Sequence, residues 1–431
     1  MPHPRRRWAA LGCGAALALL ALLAVVYNLP FVQDRVLWRV SELRARIKYA
    51  ISPPEEAVFT PDPTLQAMVQ TTLAALTPTA TLTPTAGPTL PPTVTPTPTI
   101  EPTPIPSSVQ LQGVRHEYEK WNNCGPATLA MTLSYWGWEG DQNPIAAFVK
   151  PNPRDKNVMP YELADFVAAE TDLEMVIRYS GTLDLAKRFL AAGYPFMVEK
   201  GGDFPGKGWM GHYQLLVGYD DERQRFTAYD SYTGGPNLPV AYTDLEENWR
   251  AFNYTFLVIY PAEREAEVMS LLGPQADEDY NNQAAAQKAS DEIYATSGRD
   301  QLFAWFNRGT NLVQLQDYAG ASQAFDEAYA IDAQIAVSDP GHRPWRMLWY
   351  QTGPYFAYFF TGRYGDVINL ATQTLVVAEE PALEESWYWR ARARAAVGDS
   401  AGAIEDLQTS LDYHPDFAPS LELLQALGAA P

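Results

Sequence analysis

Between Thr77 and Pro106, ten of thirty residues are proline and eleven are threonine. Proline removes backbone donors and breaks helices, and the run has too few apolar side chains to offset the entropy of ordering it. It is expected to be part of a disordered linker over residues 51–108, an extended spacer reaching about 90 Å at the polyproline rise. Any folded domain must therefore lie to one side of it, and the chain is read in pieces.

On the N-terminal side, Trp8 to Tyr27 is an uncharged stretch preceded by Arg5, Arg6 and Arg7. It is long and apolar enough to cross about 30 Å of hydrocarbon as a helix. No small-x-small cleavage site follows it, which favours a retained anchor over a signal peptide. The expected order is a short basic tail (1–7), a single transmembrane helix (8–32) and an amphipathic helix (33–50). In that last segment Val36, Val40, Leu43 and Ile47 fall at helical spacing among basic residues, which fits either a helix lying on lipid headgroups or a short core helix. Basic residues on both sides of the span leave positive-inside counting open. The Thr/Pro stalk points to an N-terminus inside the cell and later domains outside it.

The formal net charge is −20; residues 1–50 hold eight basic and two acidic residues, so the rest stands at −26. That balance repels nucleic acid, and none is expected as a partner. The two cysteines are Cys13 and Cys124. The region after the apolar stretch thus has one thiol and no internal disulfide.

From Val109 onward the composition is globular. GPATLAMTLSYWG, YELADFVAAE and TLDLAKRFLAAG read as helices, whereas EMVIRYSG, PFMVEKGG, GHYQLLVGYDD, RFTAYDSY and YTFLVIYP read as strands. Helices first and antiparallel strands after predict an α+β domain over 109–262. Residues 263–300 follow as a connecting helical segment.

The chemistry concentrates on WNNCGPATLAMTLSYWG, which sets Cys124 directly before a helix. Helix N-terminal amides and the macrodipole favour a thiolate there. A thiol nucleophile needs a base that can hold its proton and pass it on, the role histidine fills. Within this domain the histidines are His116 and His212. His212 opens an apolar strand, as a rigidly held base should, while His116 falls in a stretch expected to be loop. Asp230 ends the next strand, so a hairpin would set it beside His212. The order Cys, His, Asp follows, with gaps of 88 and 18 residues.

NNCGPATLAMTLSYWG, GHYQLLVGYDD and YDSYTGG together resemble the papain-like peptidases that remove double-glycine leaders from bacteriocin precursors, over residues 109–261. The resemblance implies a papain-like α+β fold and a cysteine peptidase with Cys124, His212 and Asp230 as its catalytic triad, acting on a peptide or protein without a cofactor. It also implies a glutamine five or six residues before the cysteine as an oxyanion donor. This chain has Glu119 and Tyr118 there, so Tyr118, Glu119, Asn122 and Asn123 are the oxyanion candidates. A carboxylate facing the oxyanion would repel it, which supports an alternative: a catalytically inactive peptide-binding scaffold. No metal site is expected, because no His/Cys/carboxylate cluster has ligand spacing.

The segment 301–431 repeats itself. Trp305, Gly309, Tyr318, Ala321, Phe325 and Ala328 form a pattern with which Trp387, Ala391, Gly398, Ala403, Leu407 and Pro415 of a later copy are in register, and a degenerate copy around Gly362, Tyr364 and Ala371 lies between. The pattern resembles the tetratricopeptide repeat family. That implies an all-α solenoid whose concave face would recruit a protein or peptide partner.

Overall fold

A computed structural model describes residues 30–76, 105–204, 206–232 and 234–430. The expected transmembrane stretch and most of the Pro/Thr run lie outside them. Among the described residues no helix is long and apolar enough to cross a membrane. Helix α1 (Pro30–Ile51) covers the expected amphipathic segment; Val40, Leu43 and Ile47 are exposed on it. It belongs to one compact unit, Met1–Pro54, and Glu55–Pro431 forms a second.

The second unit opens with a departure from expectation. Residues 55–76, read from sequence as linker, hold Phe59 at 3% exposure and helix α2 (Pro63–Leu76). Phe59 packs edge-on against Tyr329 at 4.9 Å. Arg343 donates to the carbonyls of Glu55 (2.8 Å) and Ala57 (3.0 Å), and the Asp62 amide donates to Asp366 at 2.9 Å. One aromatic side chain and a few long-range hydrogen bonds hold this segment, a signal too sparse to stand out beside the proline run.

The α+β domain begins with strand β1 (Ser108–Gln110), followed by helices α3 (Cys124–Tyr135), α4 (Gln142–Val149) and α5 (Pro160–Glu170). Strand β2 (Leu173–Arg178) and helix α6 (Leu183–Ala191) lead to β3 (Phe196–Phe204), β4 (Gly208–Asp220), β5 (Arg225–Asp230) and β6 (Gly235–Ala241). Helix α7 (Tyr242–Arg250) and strand β7 (Phe256–Pro261) complete it. The sheet is antiparallel in the order β2-β7-β3-β4-β5-β6, with β1 on the far end of β4.

Alternation along the strands buries both faces. Tyr213, Leu215, Val217, Leu257 and Ile259 meet Leu129, Leu133 and Phe166 of α3 and α5. The intervening Phe196, Val198, Leu216, Phe256 and Val258 meet Leu185 and Phe189 of α6 and Leu245 and Trp249 of α7.

The remainder is helical: α8 (Glu265–Leu272), α9 (Glu278–Ala295), α10 (Gly298–Gln314), α11 (Tyr318–Ser338), α12 (Gly353–Phe360), α13 (Tyr364–Val377), α14 (Glu384–Ala396), α15 (Ser400–Tyr413) and α16 (Ala418–Ala426). From α9 onward, consecutive members pack on each other. Asp317 caps α11 through the Gly320 amide and Asp399 caps α15 through the Gly402 amide, the same device in two places. Between them, buried Arg363 binds Asp326 through two hydrogen bonds and Asp366 through a third.

The two regions share a core. Trp209 of β4 stacks on Phe252 at 5.9 Å and meets Phe303 of α10 and Tyr350. Arg346 donates to the carbonyls of Lys207 (2.8 Å) and Trp209 (2.7 Å), and Gln351 donates to Ala251. The helical region thus supports the start of β4.

Candidate active site

Cys124 is the first residue of α3, where amides of the opening turn have no partner inside the helix. Its thiol, a ring nitrogen of His212 and a carboxyl oxygen of Glu119 all lie within 4.8 Å of one another. The cysteine is half-buried and so remains reachable. Behind it Tyr213 packs on Gly125 and donates its hydroxyl to the Val158 carbonyl at 2.9 Å, tying β4 to the start of α3.

His212 lies early on β4, opposite Lys200 of β3. The residue before it is glycine for a steric reason: a Cβ at Gly211 would come within 2.6 Å of the Phe252 ring and 3.0 Å of Tyr350. The imidazole Nε2 is 3.1 Å from Asp230 Oδ2, which leaves Nδ1 as the nitrogen available to the thiol. Gln214, two residues further and on the same side of the strand, donates to the same Asp230 oxygen at 2.7 Å. The Tyr232 amide donates to Asp230 Oδ1 at 2.9 Å. His212 and Asp230 are 5% and 1% exposed, so this pair exchanges few hydrogen bonds with solvent.

Burial alone disfavours a charged imidazole. The hydrogen bonds and negative charges of Asp230 and Cys124 outweigh it and push His212 up to about 10. The ring is therefore an imidazolium at neutral pH, a proton donor placed beside a thiol at a helix N-terminus.

The oxyanion candidates separate in space. Tyr118 is 64% exposed and stands edge-on to His116. His116 itself is bonded to the Asp230 carbonyl at 2.8 Å rather than facing the thiol. The Asn122 amide donates to the Asp155 carbonyl and the Asn123 amide to Gln142. Glu119 lies in the close group with Cys124 and His212. Its amide donates to the Ser231 carbonyl at 2.9 Å and its Oε2 accepts the Ser231 hydroxyl at 2.7 Å.

Two residues that sequence reasoning passed over hold this loop. Buried Gln142 of α4 donates to Glu117 and to the Tyr118 carbonyl, and accepts from the Lys120 amide and Asn123. Lys150, just past α4, donates to the Asn122 carbonyl at 3.0 Å. Only the polar start of α4 hinted at them.

Two groups of three close metal-type donors exist among the described residues, the thiol group above and Glu162, Glu384 and His414. In the second, His414 Nδ1 is bonded to Glu384 at 2.9 Å and Glu162 accepts from the Met159 amide at 2.6 Å. In the first group His212 and Glu119 likewise have protein hydrogen-bond partners, Asp230 and Ser231.

Residues 103–256 match the model of the Peptidase_C39 like family. The match supports a C39-like peptidase domain over this segment. Among solved structures, a candidate C39-like peptidase from Bacillus anthracis is similar to the chain at 16% identity and a TM-score of 0.29, over 35% of this chain and 96% of that one. No curated protein matches the sequence. The match to the C39-like family takes in Cys124 and both strands that carry His212 and Asp230, and stops before the helical region.

Proposed function

We propose that the chain is a membrane-anchored cysteine peptidase working outside the cytoplasm, in which Cys124 is the nucleophile, His212 the acid–base and Asp230 its orienting partner. The observation that carries this reading is the hydrogen-bonded Asp230–His212 pair beside a thiol on a helix N-terminus. The thiolate attacks the scissile carbonyl, imidazolium hands its proton to the departing amine, and water, deprotonated by the now neutral His212, hydrolyses the thioester. The helical region is read as a tetratricopeptide-type array, supported by its paired helices and the repeated Asp cap, and its role is to recruit a protein or peptide. The apolar stretch 8–27 is the anchor.

A second reading, a peptide-binding scaffold without activity, draws on Glu119, a carboxyl group at the thiol. Irreversible labelling of the full chain with a thiol-directed peptide probe separates the two, with Cys124→Ser correcting for Cys13. The peptidase reading expects fast labelling at Cys124 that falls about 10²-fold or more in His212→Ala. Slow labelling indifferent to His212 would leave the scaffold.

A further inference from the structure

An ionised carboxylate is the group least suited to face an oxyanion, yet the fold brings the Glu119 carboxyl group to the thiol. We propose that Glu119 acts as a neutral carboxylic acid whose O–H is the side-chain donor to the oxyanion formed at Cys124, so that acyl transfer runs only while Glu119 holds its proton. This inference rests on the peptidase reading of Cys124.

The geometry fixes the carboxyl group in two ways. The Glu119 amide and the Ser231 carbonyl pair at 2.9 Å, and the Ser231 hydroxyl donates to Oε2 at 2.7 Å. With Oε2 accepting, Oε1 is the oxygen that carries the proton. The other sequence candidates are committed elsewhere or exposed. The backbone amide of Cys124, in the opening turn of α3, supplies the second donor.

The surroundings act in both directions. Burial pushes Glu119 above its ordinary range and Asp230 adds to that; His212, the Ser231 hydrogen bond and Lys150 pull it down without cancelling it. A carboxylic acid kept neutral by its site can donate to a developing oxyanion. In the step itself, sulfur adds to the carbonyl carbon and the C=O π pair moves to oxygen, where it accepts hydrogen bonds from Glu119 O–H and the Cys124 amide. The oxyanion then collapses to a thioester as the leaving group departs, with its proton from His212 where one is needed. Glu119 keeps its proton throughout.

Two reactions of the same thiol test this in the full chain, with Cys124→Ser as the blank. Acylation by p-nitrophenyl acetate passes through an oxyanion; alkylation by iodoacetamide does not. Their rate ratio cancels the titration of the thiol itself. From about pH 4.5 to about pH 9.5 the wild-type ratio is expected to fall by at least about ten-fold, since a lost oxyanion donor typically costs about 10²–10³ in rate. Glu119→Gln should hold the acid-side ratio across the range, and Glu119→Ala should be low throughout. A wild-type ratio that does not change with pH, or the same fall in Glu119→Gln, overturns the inference while leaving His212-dependent alkylation intact. Alkylation that ignores His212→Ala overturns the peptidase reading and this inference with it.

Discussion

Asp230 meets three donors through one carboxylate, His212, Gln214 and the Tyr232 amide. Its negative charge is part of what holds His212 near 10 against burial. Because that value is raised, the imidazolium is present at neutral pH and is lost as pH rises through about 10; the stability it contributes is complete below about 6.5 and disappears over the same interval. Asp230→Asn keeps the shape and removes the charge. We expect acylation by p-nitrophenyl acetate to fall about 10²–10⁴-fold. The alkaline limb of that rate, read in a Glu119→Gln background, should move to lower pH. An unchanged limb would mean that Asp230 does not set the protonation of His212. Cys124, His212 and Asp230, which the fold brings together, each have a local cue in sequence: Cys124 before Gly-Pro-Ala, His212 at the head of an apolar strand, Asp230 before a turn. Gln142 and Lys150 have no such cue, since their importance comes from a loop nineteen or more residues away in chain order.

At the scale of elements, long helices and apolar strands were legible, and the short or polar ones were not. Strand β6 contains Pro236 and Pro239, tolerated because it is the last strand of the sheet order. Helix α4 carries Pro144 in its first turn, where no intrahelical donor is lost. The contact of α5 with the start of α14 is unusual for the carboxyl groups it gathers. Burial raises Asp155 and Glu162, with the negative charges of Glu384 and Glu385 adding to it, and Glu385 is pushed up to about 8 by burial and by Glu384. Neutral Glu385 is the form the fold favours, so its contribution is complete below about 4.5 and is lost as pH rises through about 8. Glu385→Gln is expected to melt with the wild type near pH 4.5 and a few degrees above it at pH 8.5. Equal melting at both pH values would remove protonation from the account of this contact.

Within the second unit the helical region braces the sheet domain. Arg346, Tyr350 and Phe303 meet the first residues of β4, just before His212. Sequence set a sheet-rich region apart from a helical one but did not show this shared core, since a Trp209–Phe252 stack completed by residues about 90 and 140 positions away leaves no local period to read.

The segment 55–76 changes what the Pro/Thr run can do. Phe59 and Asp62 are fastened to the helical region on one side of the run, while Ile105 and β1 join the sheet domain on the other. Both ends of the run therefore belong to the same compact unit. The run connects two points of one unit. A protease cut inside the run should leave the two fragments together in gel filtration without denaturant, parting only when the helical region unfolds. Immediate separation would mean that the grip around Phe59 is too weak to act as a clasp. Fragments that stay together would make a run with the composition of a stalk a replaceable strap, one whose cutting releases neither side of the unit.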